Sequence, residues 1–595
     1  MLQTEESRCN DLQVVLLGWH KAGKTSVVNT ILGPSVAVAV SGQCVKKEGY
    51  VNGRKIALVD TPGWWKDLSI KDSPELSKQA IVRSVSLCPP GPQVFLLVIE
   101  ADLLFTEKHM EPLMQRMELL SERVWEHTII LFTGQDSLLN VTIEQHIQSQ
   151  GPPLQKLLKK CGNRYHVFDV INQENTTQVA ELFEKIDNVV RQNGGKHFEI
   201  NLKVHQEHQR KWEDVQTRAS TRRSEVQKEK SIIAEKANIH RLEEVRIILF
   251  GWMISGKSSV GNKLLGHEEF LTGERTMKCK RAYGKMAGRK ITVLDTPGWW
   301  KFFSSEFNPQ WVKTAVLQDV LRCKKYPHAM LLVLPADTSF KEEQKKTIQE
   351  NMDVFGEQIW RHTIVLFTWG DFLGDASIEQ HIESEGEALQ WLIDKCGNRY
   401  HVFDNTKSGD DSQVTELLDK VEEMVAGNCL FRPDVTALNI LNADPLLEID
   451  EESDVLDTLM TRWNRKVMDF KENIGKILTE PTRPMKSNQS RDSPPNFSEE
   501  QELCEMDSPP QKRRKRLATI SKVSENLPEQ LISLLEREFS RHEAMVMEII
   551  CALLRASRTK ETSSEVSEEE IKASMKTVLW WFSHCEPSKE ESRQK

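Results

Sequence analysis

Residues 14–25 read Val14-Val15-Leu16-Leu17-Gly18-Trp19-His20-Lys21-Ala22-Gly23-Lys24-Thr25. An apolar run stops at a glycine, and four residues separate that glycine from Gly23-Lys24-Thr25. This is the phosphate-loop pattern G-x-x-x-x-G-K-[ST], set between a strand-like and a helix-like stretch. A loop that wraps an anion must turn its backbone N–H groups inward, and glycine adopts the positive φ angles this needs. The start of the following helix faces the same anion. Lys24 then neutralises β- and γ-phosphate oxygens, and the Thr25 hydroxyl is placed to ligate Mg²⁺.

The pattern occurs twice. Residues 245–258 repeat the strand, the loop Gly251-Trp252-Met253-Ile254-Ser255-Gly256, the lysine Lys257 and the hydroxyl Ser258. Asp60-Thr61-Pro62-Gly63-Trp64-Trp65-Lys66 returns as Asp295-Thr296-Pro297-Gly298-Trp299-Trp300-Lys301, 235 positions on (295 − 60). Cys161-Gly162-Asn163-Arg164-Tyr165-His166 returns from Cys396 at the same offset, as does Thr128-Ile129-Ile130-Leu131-Phe132-Thr133 from Thr363. These are two copies of one domain, not a solenoid array.

In the first copy, strands are expected at residues 14–17, 56–59, 94–99, 128–132 and 165–168. Helices are expected between them, at 24–32 and 110–120 for example. Continuous apolar runs suit central strands covered on both faces. Strand–helix alternation predicts an α/β fold, a parallel-dominated sheet with helices on both faces. Ligands of such sheets sit beyond the carboxyl ends of the strands, where every motif above falls.

The rest of the chain is polar. The expected organisation is a first domain over 9–204, a charged helical linker over 205–242, a second domain over 243–436 and a helical, partly disordered tail over 437–595. The linker reads as a solvated connector or a partner-binding surface. In the tail, 479–510 is rich in Ser, Pro, Asp, Glu and Asn and expected to be disordered. Lys512 to Arg516 form a basic block with three readings: an import signal, a phosphate-lipid contact or a solvated run. Residues 527–554 space their apolar side chains along one helical face, for a core, self-association or a membrane surface.

At 595 residues the chain is too long for a single core. A net charge of −9 argues against nucleic-acid binding. Eleven cysteines without a C-x-x-C pair suggest reduced thiols in the cytosol. The Cys161…His166 and Cys396…His401 repeats lack a second ligand pair, which argues against zinc. No signal layout and no apolar stretch of about 18 residues is present, so no membrane span is expected.

The remaining motifs complete a nucleotide site. Asp60 and Asp295 end a strand and can hold Mg²⁺ through water, while the N–H of Gly63 or Gly298 can meet a γ-phosphate. At the end of the 128–132 strand, Thr133-Gly134-Gln135-Asp136 and Thr368-Trp369-Gly370-Asp371 resemble the guanine-selecting pattern [NT]-K-x-D. A carboxylate there accepts two hydrogen bonds from guanine, and adenine offers no such donor pair. The usual lysine is absent; Gly134 leaves that face open, and Trp369 is a candidate to stack on the base instead. A hydroxyl that reaches the metal from the loop before the second strand is expected at Thr276, with Thr272 in reserve and Ser41 at the corresponding place in the first copy. The Trp64-Trp65 and Trp299-Trp300 pairs read equally as interface anchors or as core.

This set of residues resembles the GTPase of immunity-associated proteins family, a septin- and plastid-import-receptor-like branch of the GTPases. Pro89-Pro90-Gly91-Pro92 before the third strand, Leu131-Phe132-Thr133 and Asn163-Arg164-Tyr165-His166 add to the likeness, which covers about 11–200 and 245–430. Two such domains on one chain resemble the multi-domain members. The resemblance implies two P-loop GTPase domains with GTP or GDP and Mg²⁺ as cofactors. It also implies dimers or larger homo- or hetero-oligomers formed through the G domains, and a cytoplasmic or peripheral membrane location. It places Gly18, Trp19, His20, Lys21, Ala22, Gly23, Lys24, Thr25 and Ser26 at the phosphates of the first copy. In the second copy it places Gly251, Trp252, Met253, Ile254, Ser255, Gly256, Lys257, Ser258 and Ser259 there. It also puts an Asn near the base, where the second copy keeps Asn405 and the first copy has Val170.

The resemblance further implies an arginine given across a dimer from the segment after the 94–99 strand. Residues 101–107 and 336–342 contain no arginine, and Trp64 and Trp299 replace the glutamine that orients water. Weak turnover is therefore expected, since an arginine finger is worth about 10³–10⁵ in rate. Three readings remain open. One is a nucleotide-gated assembly protein, another a hydrolase that uses Lys66, Lys301 or a partner, and the third an ATP-binding P-loop module.

Overall fold

The computed structural model describes residues 11–33, 42, 44–66, 68–101, 105–134, 142–170, 176–236, 241–272, 276, 278–299, 301, 326–404, 411–428, 430 and 431. All of them belong to one compact unit. Ser41, Gln135, Asp136, Trp300, Asn405 and the readings on the tail lie outside the described residues.

The first copy runs β1 Asp11–Gly18, α1 Lys24–Leu32, β2 Val45–Val51, β3 Arg54–Asp60, α2 Glu75–Ser86, β4 Val94–Glu100, α3 Glu107–Glu118, β5 Thr128–Thr133, α4 Ile143–Ser149, α5 Pro152–Lys160, β6 Tyr165–Phe168 and α6 Thr176–Gln192. Helix α7, Leu202–Lys236, leads to the second copy. That copy comprises β7 Glu244–Phe250, α8 Lys257–Leu265, β8 Lys280–Met286, β9 Arg289–Asp295, β10 Ala329–Pro335, α9 Glu342–Asp353, β11 Thr363–Thr368, α10 Ile378–Glu385, α11 Glu387–Lys395, β12 Tyr400–Val402 and α12 Ser412–Ala426.

Each copy builds a six-stranded sheet, ordered β2-β3-β1-β4-β5-β6 and, in reverse, β12-β11-β10-β7-β9-β8. Every residue of β4, β5, β10 and β11 is buried, which requires helices on both faces. Fully burying each Val, Leu or Ile there contributes roughly 1.5–3 kcal/mol.

The sheets are mixed rather than wholly parallel. β2 pairs antiparallel with β3, and β8 with β9. These edge strands escaped the sequence reading because Val45–Val51 is polar and only half-buried, without the apolar run of a central strand. Helix α3 begins at Glu107, three residues before the expected start at Met110, because Thr106 and His109 form a reciprocal cap. A histidine in the place of the usual Glu or Gln hides that cap from a pattern search.

Helix α7 is more than a solvated connector. Arg83 of α2 lies over the Trp212 ring, 4.6 Å from its centroid. Further along, Arg222 donates to Glu383 at 2.6 Å and to Asp394 at 2.8 Å, and it also bonds Asn398. The helix is thus fastened to both copies. Val215 and Ala219 are buried and Val226 packs on the core of the second copy, but these few apolar residues among many charged ones leave the apolar periodicity that would announce a packed helix weak.

Candidate nucleotide sites

The phosphate loop of each copy hangs between the first strand and the first helix. Gly18 has φ 150°, and a Cβ added there would lie 2.5 Å from the Val98 carbonyl oxygen. Gly23 takes φ 91° as the residue before α1, and no side chain caps that helix. The first amides of α1 therefore face the loop without a side-chain acceptor, the arrangement that suits an anion. Gly256 repeats it before α8 with φ 91°.

Lys24 is 6% exposed and folds back over the loop, donating to the carbonyls of Gly18 at 3.1 Å and Trp19 at 2.8 Å. Lys257 does the same to Trp252 at 2.9 Å. Burial pushes both amines down to about 8. A buried ammonium bonded only to neutral carbonyls is poised to meet an anion.

Beside each lysine lies a hydroxyl–carboxylate pair. Thr25 Oγ1 donates to Asp60 Oδ2 at 2.5 Å, and Ser258 Oγ to Asp295 Oδ2 at 2.7 Å. Burial raises both aspartates above the ordinary carboxylate range. The second oxygen, Oδ1 of Asp60 and of Asp295, is buried without a hydrogen-bond partner. An orphaned carboxylate oxygen next to a hydroxyl is a donor set for a hard divalent cation. In the second copy Thr276 joins the pair, with Oγ1 3.3 Å from Asp295 Oδ2, while Thr272 is exposed.

The Asp-Thr-Pro-Gly segment lies against the loop. A Cβ on Gly63 would come 2.4 Å from His20 Cα, and one on Gly298 would come 2.8 Å from Lys257 Nζ. His20 N donates to Trp64 O at 2.8 Å, and Met253 N to Trp299 O at 2.7 Å. The base-side strand is tied to the same loop: Thr133 Oγ1 donates to Ala22 O at 2.8 Å, and Thr368 Oγ1 to Ser255 O at 2.7 Å. Lys21 and Ile254 take left-handed φ values of 62° and 58° inside the loops. Ser26 is half-buried and Ser259 exposed in the first turns of their helices.

Asp371 is half-buried beyond β11, its Oδ1 has no hydrogen-bond partner, and burial raises its pKa. Trp369, with φ 58°, sets its ring edge-on to Trp65 of the first copy, 6.0 Å away, rather than presenting it to its own pocket alone. The tryptophan pair of the first copy splits between its two readings. Trp64 belongs to the core of its own copy, while Trp65, 4% exposed, is buried against the second copy.

Sequence reasoning missed Glu100 and Arg116. Glu100 Oε2 accepts from Trp19 Nε1 at 2.9 Å and pairs with Lys66 at 2.7 Å; an acidic residue that ends an otherwise apolar strand was its only signal. Arg116 is buried in α3, donating to Pro112 O, Leu68 O and Ser73 Oγ, and nothing local marks it.

Sheet order, phosphate loop, buried lysine and hydroxyl–aspartate pair together define a chain of two P-loop GTPase domains. The AIG1 family pattern matches residues 12–218 and 245–434. The chain belongs to the AIG1 family. It is 28% identical over 464 residues to GTPase IMAP family member 8 of Homo sapiens, covering 74% of this chain and 66% of that protein. It is 31% identical over 212 residues to immune-associated nucleotide-binding protein 5 of Arabidopsis thaliana, covering 33% of this chain and 68% of that protein. Among solved structures, Toc33 from Arabidopsis thaliana in complex with GDP and Mg²⁺ is 14% identical, covering 38% of this chain and 99% of that chain, with a TM-score of 0.27. The chain spans 66% of the length of the human member 8 and 60% of its mouse counterpart.

Proposed function

We propose that the chain is a GTP- and GDP-binding regulatory protein whose nucleotide state governs association of its G domains, in an immunity-related setting, with weak intrinsic hydrolysis. One observation carries this reading. Each copy sets a buried lysine over its phosphate loop, beside a hydroxyl–aspartate pair with one unpartnered oxygen. Mg²⁺ fits that donor set: Thr25 with Asp60, and Ser258 with Asp295 and Thr276, would hold it. Bound there, it would neutralise phosphate charge. Lys24 and Lys257 bind the phosphates from the other side, and Gly63 and Gly298 offer an N–H whose segment can move with the γ-phosphate. Asp136 and Asp371 are the residues proposed to select guanine.

What surrounds the loop supports the reading of weak hydrolysis. Arg116 is committed to carbonyls, and Lys66 pairs with Glu100. Neither is held ready to neutralise charge developing on a transferred phosphoryl group. Among the described residues, no helix is long and apolar enough to cross a membrane. The proposed location is cytoplasmic, with peripheral membrane contact left to the tail.

Calorimetry with Mg²⁺ and GDP tests binding, ATP serving as the competitor that should fail. Single-turnover GTP cleavage is expected to be slower than about 10⁻² s⁻¹, the rate of G proteins with an internal arginine. A faster rate, or ATP displacing GDP, would overturn this reading.

A further inference from the structure

The face of the first copy that carries its phosphate loop is covered by the second copy. His20, inside that loop, stacks on Phe372, with ring centroids 5.0 Å apart and planes at 28°. Trp65, two residues beyond Gly63, stacks on the same Phe372 at 5.6 Å and 19°. Trp65 Nε1 donates to Asp337 Oδ2 at 3.0 Å. A Cβ on Gly42 would fall 2.3 Å from the Gly374 amide. Just past Trp65, Ser339 N donates to Asp72 O at 2.8 Å and Ser339 Oγ to Lys71 O at 3.1 Å. The fully buried Glu385 carboxylate accepts from Glu75 N at 2.7 Å and Phe340 N at 2.9 Å, joining the start of α2 to the second copy.

The first copy contributes its phosphate loop and the segment after Asp-Thr-Pro-Gly. The second contributes the loop after β10 and the turn that carries Asp371. Phe372 is chain neighbour to Asp371, the proposed guanine reader of the second pocket. One ring therefore touches the phosphate side of one pocket and adjoins the base side of the other.

We propose that the two nucleotide pockets are coupled in cis through His20, Trp65 and Phe372, so that filling the second pocket changes the affinity of the first. The proposal rests on the guanine-nucleotide reading above. The 60–66 segment cannot shift toward a γ-phosphate without moving Trp65, and Trp65 cannot move without repacking Phe372 beside Asp371. Tightly packed ring contacts of this kind have discrete arrangements rather than continuous ones. The coupling is reciprocal, so each pocket alters the other by the same factor, about 5-fold or more.

The test is calorimetric titration of the full chain with the non-hydrolysable GTP analogue GMPPNP and Mg²⁺, on the unsubstituted protein and on Lys24→Ala, Lys257→Ala and Phe372→Ala variants. In the unsubstituted protein the two affinities should differ from those of the single-pocket variants by one common factor of about 5 or more. In Phe372→Ala both pockets should still fill and the factor should fall toward 1, with Phe372→Leu as the substitute if the alanine variant does not fold. An unsubstituted isotherm that equals the sum of the two single-pocket isotherms overturns the coupling and leaves the nucleotide reading intact. Uptake by neither pocket overturns both.

Discussion

In the first copy, strand β4 ends on Glu100, whose carboxylate holds Trp19 and Lys66. In the second, Pro335 stands at that place. Trp252 Nε1 is then buried without a hydrogen-bond partner, and Lys301 lies over the Trp252 ring, 5.6 Å from its centroid. His20 of one loop is Met253 in the other, and Arg116 of α3 is Asn351 in α9. Yet the lysine, the hydroxyl–aspartate pair and the glycine pressed on the loop are placed alike in both. The two copies share the parts proposed to grip an anion and a cation and differ in what surrounds them. Some of the difference falls where the copies meet: His20 on one side, and on the other Trp369 and Phe372, which stand where the first copy has Gly134 and Ser137.

The largest expected effect separates the two tryptophans. Trp64→Ala should destabilise the first copy by about 3–5 kcal/mol, the range for emptying a large core site. Trp65→Ala should leave each copy folded and loosen only their packing. Thermal unfolding followed with limited proteolysis between the copies distinguishes these outcomes, and equal destabilisation by both would break the distinction drawn between them.

Next come the lysines. Lys24→Ala and Lys257→Ala should each abolish one of two equivalents of bound guanine nucleotide, weakening that pocket by about 2–5 kcal/mol. Loss of both equivalents from either variant would contradict twin pockets. Glu100→Leu should cost the first copy about 1–3 kcal/mol by stranding the Trp19 indole N–H. A Pro335→Glu exchange should recover part of that amount in the second copy, where Trp252 lacks an acceptor. Denaturant midpoints at constant slope measure both.

The smallest effect is on pH. With amines near 8 in the folded protein and near 10.5 when unfolded, the unfolded chain binds more protons between those values. The cost of burying Lys24 and Lys257 is therefore fully present below pH 8, and stability of the nucleotide-free protein should rise from pH 8 toward 10.5. Phosphate favours the charged amine, so GDP affinity should fall above pH 8, by at most about tenfold per pH unit per pocket. A flat affinity from pH 7 to 10 would contradict the buried-amine account.

Much of this was legible before the fold was known. The glycine–lysine–hydroxyl loop, the aspartate ending a strand and the repeat at a constant offset are local patterns with a fixed chemical purpose. What stayed hidden was non-local. Strands β2 and β8 lie at the sheet edge, where half-burial leaves no apolar run. Helix α7 is secured by Arg222 and its ion pairs together with a sparse apolar set, Val215, Ala219 and Val226, too thin to stand out in a charged segment. Trp64 and Trp65 are adjacent and alike in sequence, and only the position of the second copy assigns one to a core and the other to an interface. Asp337, Phe372 and Glu385 became meaningful once the two copies were seen in contact, hundreds of residues apart in the chain.

The central claim is that each copy holds a guanine nucleotide through its loop lysine and its hydroxyl–aspartate pair. Calorimetry of the full chain with GDP and Mg²⁺, in the presence of excess ATP, tests it most directly. The account predicts two equivalents of GDP per chain, falling to one in Lys24→Ala and one in Lys257→Ala. No uptake by the unsubstituted chain, or displacement of GDP by ATP, would contradict it.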